Sequence, residues 1–353
     1  MPRMLIVLLM LYSSVLHAQN HCVVLQYHHF SDATPAITSV TPEQFEQHLD
    51  YLKKNDFHVM ALRDVVRALY NNLELPDKCV SLSVDDAYIS VYTTAYPLLK
   101  QRGWPMTVFV NSQGVDRGIR SFMNWRQMRE MAQHGFSFEN HGHGHIHMIR
   151  RNADESEPDW LARVARDIQT AQQIITRETG MAPALFAFPY GEYNPSLIRL
   201  VEDMGLTGFG QQSGPVWPGA NFGALPRFPM AAHYARLKSF TTKVNTLPLP
   251  VVRALPIDPM TPLGQKRPTL TLQLAPGTYD RNNLRCFVSG SDQVTLKWLE
   301  QPADSVEVTP QFDLKPGRHR TNCTMPSGRK ERFHWYSHNW FVRNPDGSWY
   351  AEY

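Results

Sequence analysis

Strand-like apolar runs alternate with helical segments from residue 22 to residue 204. The apolar runs end in polar residues and cover 22–30, 80–84, 106–110 and 185–188. The helical segments, several of them closed by a glycine, cover 62–69, 91–101, 125–134, 159–179 and 195–204. This alternation predicts an α/β fold built of parallel β/α units, in which functional groups gather at the carboxyl ends of the strands.

The composition is that of a globular protein with a sizeable core. Of the 353 residues, 42% are hydrophobic and 19% are charged, so we expect one large domain and a smaller one. The formal net charge is only +3, and the basic residues form no cluster. A nucleic acid is therefore not expected as a partner. The sequence leaves the oligomeric state open.

Residues 1–18 have the pattern of a secretory signal peptide. Arg3 precedes an apolar run over 4–11, and Ala18 supplies a small residue for cleavage. The apolar run is too short to cross a bilayer, so no transmembrane segment is expected in the mature protein. The sequence predicts an exported protein of bacterial type, either periplasmic or secreted.

Export gives the four cysteines a meaning, because oxidising compartments favour disulfides. Three pairings are open in principle. We expect Cys22–Cys79 and Cys286–Cys323. Cys22 and Cys79 each head an apolar run, and each lies six positions before a polar residue at the end of that run. Adjacent parallel strands in register would bring their two sulfurs together.

Four histidines stand at every second position in the stretch His141-Gly142-His143-Gly144-His145-Ile146-His147. Imidazole is the commonest protein ligand for transition metals, so the stretch is a candidate metal site. On a regular strand all four rings would share one face. In a loop that turns into a helix, His141 and His145 would converge at i, i+4 spacing and His143 would point away. Two histidines plus a distant carboxylate leave open positions on a metal, as hydrolysis requires.

Polar residues at the ends of other strand-like runs provide that carboxylate. Asp85 and Asp86 follow the run over 80–84, His28 lies near the end of the first run, and Pro189 and Tyr190 follow the run over 185–188. Each feature alone is more typical of a turn or a cap. Their common position at strand ends favours a shared functional site.

A proline-rich segment separates this region from the C-terminal part. Residues 247–268 contain six prolines and are predicted to be an extended linker. Short alternating segments separated by turn residues follow, so residues 269–353 are predicted to form a small all-β, sandwich-like domain. We expect this domain to be separable from residues 21–246 and dispensable for the chemistry.

Three motifs together resemble those of the polysaccharide deacetylase family, carbohydrate esterase family 4. The first, a strand ending in two aspartates, matches Leu82-Ser83-Val84-Asp85-Asp86, with Ala87 where glycine is usual. The second matches Asn140 to His145, with Gly142 in place of a hydroxyl residue. The third matches Phe186 to Gly191, without the arginine that many members place before the proline. The family's late Leu-x-Ile-x-x-His motif has no clear match, and His233 is a poor candidate for it.

The resemblance covers roughly residues 21–245 and is closest to the branch that deacetylates poly-N-acetylglucosamine. It implies a distorted, incomplete (β/α) barrel and an acetylated amino-sugar polysaccharide as substrate. It also implies a divalent metal ion, zinc in the first place with cobalt or nickel as alternatives. The implied metal ligands are Asp86, His141 and His145.

The remaining roles follow from the same resemblance and from the chemistry of acetyl hydrolysis. Asp85 is implied to be the general base. Pro189 and Tyr190 would form the oxyanion site through the backbone N–H of Tyr190. His28, in a Tyr27-His28 pair that resembles one on the first strand of several members, is the candidate proton donor.

Two other functions compete with catalysis. One is a carbohydrate-binding protein on a decayed deacetylase scaffold, which the departures at Ala87 and Gly142 would suit. The other is a periplasmic metal-binding protein, for which the histidine-rich stretch is the argument. Release of acetate from a glycan separates catalysis from both.

Overall fold

The computed structural model describes residues 20–277, 279–329 and 331–351. The predicted signal peptide, residues 1–18, lies outside the described residues. Two units are distinguished below: the barrel unit, residues 20–246, and the β-sandwich unit, residues 247–351. Across the described ranges, no helix combines the length and the apolar character needed to cross a bilayer.

The barrel unit follows the predicted alternation. Its elements in chain order are β1 (Val23–Tyr27), β2 (His29–Phe30), β3 (Ser39–Val40), α1 (Pro42–Lys54), β4 (His58–Val59), α2 (Leu62–Tyr70), β5 (Cys79–Asp85), α3 (Tyr96–Arg102), β6 (Met106–Val110), α4 (Ser112–Asp116), α5 (Trp125–Ala132), β7 (Phe136–Asn140), α6 (Glu157–Thr179), β8 (Leu185–Ala187), α7 (Pro195–Asp203), β9 (Thr207–Phe209), β10 (Phe228–Pro229) and α8 (Leu237–Val244). The elements missed by the sequence analysis, among them α4, β9, β10 and α8, are short and carry little periodic signal.

Eight parallel strands form one curled sheet in the order β10-β1-β5-β6-β7-β8-β9, with β4 paired to the start of β5. Every residue of β1 and β5 is buried, as expected of parallel strands covered on both faces. Within the described residues, β9 and β10 are the two edges and do not pair with each other. The sheet is thus an incomplete (β/α) barrel, as the sequence predicts.

The long helix α6 covers β7 and approaches the predicted site. The Ser156 side chain caps its first turn by accepting a hydrogen bond from the backbone N–H of Asp159, and Gly180 ends it at φ 73°. Trp160, Val164 and Ile168 repeat at four-residue intervals and are buried, so this stripe faces the core.

The β-sandwich unit consists of two four-stranded sheets. Its strands are β11 (Leu247–Pro248), β12 (Val251–Leu255), β13 (Leu270–Leu274), β14 (Arg285–Val288), β15 (Val294–Trp298), β16 (Ser305–Pro310), β17 (Gly317–Pro326) and β18 (Phe333–Val342). The sheets have the orders β11-β18-β17-β14 and β12-β13-β16-β15, and their inner faces share one apolar cluster. This is the predicted all-β architecture.

The proline-rich segment contains two of these strands. β11 and β12 lie within residues 247–268 and are edge strands of the two sheets, where a proline removes no needed ladder hydrogen bond. Pro248 lies within β11, Pro250 and Pro256 flank β12, and the segment predicted as a linker contributes these two strands to the sandwich. Where an independently folding domain begins stays a prediction.

Both predicted disulfides are present. Cys22 is bonded to Cys79, because β1 and β5 are adjacent, parallel and in the predicted register. Cys286 is bonded to Cys323, which lies directly opposite it on the antiparallel pair β14–β17. Neither bond leaves a free thiol behind among the described residues.

The two units pack closely against each other. The Trp335 ring on β18 meets Phe228 of β10 edge to face at 5.3 Å between centroids. Farther along β18, Phe341 joins the apolar cluster that contains Phe186 and Phe188 of the barrel unit. The β-sandwich unit therefore borders the segment that leads into the Pro189-Tyr190 turn.

Candidate metal and catalytic site

The two aspartates lie at the carboxyl end of β5, where the chain turns sharply. Asp85 is the last residue of the strand, and Asp86 and Ala87 adopt left-handed conformations with φ 73° and 57°. Glycine adopts this conformation most readily, which explains why glycine is usual at the position of Ala87. The turn directs the two carboxylates to different partners, because Asp86 meets the histidines and Asp85 meets an arginine.

The histidine stretch is a loop, so neither the regular strand nor the helical turn considered for it forms. Gly142 and His145 adopt left-handed conformations with φ 76° and 50°, and these bends bring His141 and His145 together with ring centroids 5.0 Å apart. The predicted convergence of these two residues is thus present, reached through loop geometry. His143 points elsewhere, and its Nδ1 lies 2.8 Å from the Ser112 hydroxyl.

The loop is held by hydrogen bonds to its backbone. The Asp167 carboxylate of α6 accepts from the N–H groups of His143 and Gly144 at 2.8 and 2.9 Å, and Asn140 Oδ1 accepts from the N–H of Gly142 at 2.8 Å. A Cβ at Gly142 would stand 2.7 Å from Asp167 Oδ2. A hydroxyl residue therefore does not fit at position 142 beside this Asp167, and the departure from the family motif has a local cause.

Asp86, His141 and His145 form one compact cluster. Each offers one ligand atom, and these atoms lie within 4.8 Å of one another. Asp86 Oδ1 lies 3.6 Å from His141 Nε2 and 3.2 Å from His145 Nε2. Asn111, which sequence reasoning missed, donates from Nδ2 to the same oxygen at 2.9 Å.

The state of the two imidazoles suits a metal. His141 Nδ1 lies 2.7 Å from the Ala187 carbonyl oxygen, so it carries the proton and leaves the lone pair on Nε2. Burial lowers the pKa of His145 to about 4, against an opposing effect of Asp86, and keeps this ring neutral.

The surroundings of the cluster also fit a bound cation. Asn111 Oδ1 is buried and has no hydrogen-bond partner among the described residues. One carboxylate and two imidazoles form a donor set that divalent zinc, cobalt or nickel accepts, and three ligands leave positions open. The residues present fit the metal that the motif resemblance implies.

Asp85 is held by a buried arginine. Arg227, just before β10, places Nη1 2.6 Å from Asp85 Oδ1 and Nη2 2.9 Å from Oδ2, and Gln26 Nε2 donates to Oδ2 at 2.6 Å. Burial raises the pKa of Asp85, but the Arg227 charge outweighs it and holds that pKa well below the usual range. Asp85 is therefore a carboxylate at neutral pH, and Oδ1 accepts only one of these three hydrogen bonds.

His28 lies on the other side of Asp85, at the end of β1. Its Nε2 is 4.0 Å from Asp85 Oδ2, and its side chain is 21% exposed. The neighbouring His29 stacks on Tyr88 at 3.7 Å between ring centroids and lies within the electrostatic reach of Asp86. Of the two histidines, His28 is the one that approaches Asp85.

The Pro189-Tyr190 turn closes the site opposite Asp86. Pro189 is buried, and Tyr190 adopts φ 59° and ψ 2°, a left-handed conformation that costs a non-glycine residue roughly 1–2 kcal/mol. The Tyr190 ring lies edge-on to His145 at 4.6 Å and stacks on His147 at 3.7 Å. The turn is thus in direct contact with one member of the cluster.

His147 is engaged away from the cluster. Its Nδ1 lies 2.7 Å from Glu192 Oε2, and Glu192 is fully buried. Burial acts to raise the pKa of Glu192, but hydrogen bonds from His147 and Tyr350 lower it below the ordinary range. Like His143, His147 is not among the clustered ligand atoms.

One cavity of the structure is separate from this site. A cavity of about 380 Å³ lies between the two units and is lined in part by Gln212, Trp217 and Trp335. None of the clustered residues lines it. The site is therefore recognised by the chemistry of its residues.

Fold and site together define a class. A parallel, incomplete (β/α) barrel carries an Asp-His-His cluster of metal-binding type beside a second, arginine-paired aspartate at its strand ends. Residues 72–209 match the family model described as polysaccharide deacetylase. These residues are therefore identified as a polysaccharide deacetylase domain, as the motifs suggested.

Named relatives agree with this assignment. The poly-beta-1,6-N-acetyl-D-glucosamine N-deacetylase of Staphylococcus aureus (strain MRSA252) is 26% identical over 196 residues, which cover 54% of this chain and 67% of that protein. YxkH of Bacillus subtilis (strain 168) is 25% identical over 182 residues, 52% of this chain and 61% of that one. The chain thus spans about two thirds or less of the length of these relatives.

Solved structures share the barrel. The Streptococcus pyogenes deacetylase PplD, in complex with acetate, has a TM-score of 0.57 at 24% identity, over 64% of this chain and 99% of that chain. IcaB from Ammonifex degensii has a TM-score of 0.56 at 23% identity, over 62% and 96%. At this identity the likeness concerns the fold.

Proposed function

We propose that this protein is an exported, metal-dependent hydrolase that removes acetyl groups from a polysaccharide, by preference the N-acetyl groups of N-acetylglucosamine units. The observation that carries the proposal is the Asp86-His141-His145 cluster beside the ionised Asp85, within a domain of the polysaccharide deacetylase family. The name of the Staphylococcus aureus relative supports the choice of polymer.

Asp86, His141 and His145 would hold the metal. A bound divalent ion supplies Lewis acidity, which polarises the acetyl carbonyl and lowers the pKa of water to about 7. The protein's part is to orient the ligand atoms. The Ala187 carbonyl orients His141 through its Nδ1, and the Asn111 amide orients the Asp86 carboxylate.

Asp85 would take the proton from the attacking water. A base must be unprotonated when the substrate binds, and the Arg227 charge keeps Asp85 in that state. Of its two oxygens, Oδ1 has the acceptor position left over by Arg227 and Gln26. The other oxygen, Oδ2, lies 4.0 Å from His28 Nε2, and His28 would deliver a proton to the leaving amine.

Tyr190 would stabilise the charge that develops on the acetyl oxygen. Its ring lies 4.6 Å from that of His145, so its peptide N–H is the candidate donor from this side of the site. One such donor is typically worth ~3–4 kcal/mol of transition-state stabilisation. Pro189 fixes the start of the turn through its restricted φ.

Acetate release tests the proposal directly. The mature protein should release acetate from poly-N-acetylglucosamine, lose the activity on chelation and regain it when zinc, cobalt or nickel is added back. Chitin and peptidoglycan in the same assay decide the glycan. Metal-loaded protein that binds glycan without releasing acetate would support the carbohydrate-binding alternative, and metal affinity that survives Asp86→Asn would support the metal-storage alternative.

A further inference from the structure

Glu192 joins the two units at the back of the Pro189-Tyr190 turn. Its carboxylate is fully buried, yet it lies only two residues after Tyr190. Oε2 accepts from His147 Nδ1 at 2.7 Å, and Oε1 accepts from the Tyr350 hydroxyl at 2.5 Å. Arg318 of β17 places Nη1 3.4 Å from the same Oε1. Two of these three partners belong to the β-sandwich unit.

His147 connects this carboxylate to Tyr190. The rings of His147 and Tyr190 are nearly parallel, at 9° and 3.7 Å between centroids, so the position of one restricts the other. The Arg318 guanidinium lies over the Tyr190 ring, 5.6 Å from its centroid, and so contacts both Tyr190 and Glu192. A turn held in a left-handed conformation needs such surrounding contacts to persist.

Apolar packing reinforces the connection. Phe341 of β18 meets Tyr193 edge to face at 6.1 Å, and Tyr193 in turn packs on Phe188 at 5.6 Å. Tyr193, after the turn, is thus in contact with β18, and it connects that strand to Phe188, before the turn. The sandwich touches the turn through a charged contact and an apolar one.

We propose that the β-sandwich unit completes the active site, with Glu192 as a positioning residue: Tyr350 and Arg318 fix its carboxylate, the carboxylate fixes His147, and His147 holds Tyr190 in the left-handed turn. The catalytic consequence rests on the proposed function, which assigns the N–H of Tyr190 to the acetyl oxygen. The same contacts oppose the expectation that the C-terminal part is dispensable. Without its donors, a buried carboxylate is driven to protonate or to move towards water.

Tyr350→Phe in the full chain is the mildest test, because it removes one hydroxyl and keeps the ring. We expect kcat for acetate release to fall about tenfold, a fraction of the 10²–10³-fold loss typical when an oxyanion donor is removed outright. KM and bound metal should not change, since the contact acts on the transition state. Amides of residues 190–192 should exchange with deuterium faster. Tyr279→Phe is the matched control: it removes a hydroxyl that bonds the Ala275 carbonyl elsewhere in the same unit.

Glu192→Gln supplies the second variant and closes a double-mutant cycle. It should cost more in kcat than Tyr350→Phe, and adding Tyr350→Phe to it should cost little further, because the two changes interrupt one chain of contacts. Additive losses, or a Tyr350→Phe variant that matches Tyr279→Phe in kcat and in exchange, would overturn the inference. If the wild type releases no acetate, the proposed function fails, and the exchange measurement alone still decides whether Tyr350 orders the turn.

Discussion

Arg227 and Asp85 form a two-point ion pair that is closed to solvent. Their oxygen–nitrogen distances are 2.6 and 2.9 Å, and neither side chain is exposed. The pair joins the end of β5 to the segment before β10, two places 142 residues apart in sequence. This one contact therefore joins two distant parts of the barrel unit and also keeps Asp85, the expected base, ionised.

Arg227→Met should destabilise the fold and change its pH dependence. Removing one partner of a buried pair typically costs about 3–5 kcal/mol, because an unpaired charge is left behind. The folded pKa of Asp85 lies below its unfolded value, so the wild-type pair contributes fully above the ordinary aspartate range and is lost as pH falls through the folded pKa. In the variant the pKa of Asp85 should rise, which moves the acidic limb of the pH–rate profile upward.

Urea unfolding and pH–rate profiles check this prediction. Arg267→Met removes an exposed pair of similar length with Asp313 and should leave both measurements unchanged. Equal behaviour of the two variants would contradict the role given to Arg227.

Substitution of a predicted metal ligand should lower the metal content of the protein, whereas substitution of His143 should not. Asp86→Asn, His141→Ala and His145→Ala each remove a donor from the cluster, so metal content and acetate release should fall together. His143→Ala removes a ring that bonds Ser112 and should retain the metal. Elemental analysis of the purified variants measures this, and a His143 variant that loses metal would refute the assignment.

Asp85→Asn should retain the metal and lose the rate. The amide has nearly the size of the carboxylate but cannot accept the proton, and general-base catalysis typically contributes 10²–10⁴-fold. We expect a fall of about that size in kcat with metal content unchanged. Loss of metal in this variant would mean that the two aspartates exchange roles.

Asn111→Ala should weaken metal binding without removing a ligand. The Asn111 amide orients Asp86 Oδ1, and loss of such an outer contact typically costs about 10–100-fold in metal affinity or activity. Competition with a chelating dye measures the affinity. Asn124→Ala, which removes a cap on α5 away from the cluster, should leave it unchanged and controls for loss of an amide.

The Cys22–Cys79 bond should stabilise the fold measurably. Replacing both cysteines by serine should cost roughly 2–5 kcal/mol of unfolding free energy. Thermal unfolding with and without reductant checks this, since reductant should shift the wild type and leave the double variant less affected. An identical shift in both proteins would assign the effect to Cys286–Cys323 alone.

Most of the site could be predicted because its residues stand in local patterns. Asp85, Asp86 and Tyr190 follow recognisable strands, and His141 and His145 stand in an unusual repeat. Strand ends meet at one edge of a parallel sheet, so position in the sequence was enough to bring these residues together.

Arg227 and Asn111 could not be predicted in the same way. Arg227 stands in a short segment before a two-residue strand, and no periodicity relates it to Asp85. Its buried position depends on where the sheet stops, and the edge of an incomplete barrel has no sequence signature. Asn111 looks like an ordinary first residue of a helix, and only the fold shows that its amide reaches Asp86.

In the β-sandwich unit the secondary structure could be predicted and the tertiary contacts could not. Its alternating strands could be predicted, yet its contacts with Glu192 could not, because Arg318 and Tyr350 are far from the turn in sequence and form no motif with it. The prolines of residues 247–268 suggested separation, whereas in the structure the segment contains two edge strands and Pro248 lies in one of them. The composition of a segment indicates its secondary structure but does not determine which distant residues it contacts.

Asp167 binds the histidine loop through backbone N–H groups, so the side chains of the residues it binds are not needed for these hydrogen bonds. The amides it holds belong to His143 and Gly144, and any residue other than proline offers the same N–H at position 143. The side chain at 143 can therefore be exchanged for an acidic, basic or aromatic one while His141 and His145 keep their places. A library at position 143 would therefore change the charge and size of the side chain beside the cluster while Asp86, His141 and His145 stay in place.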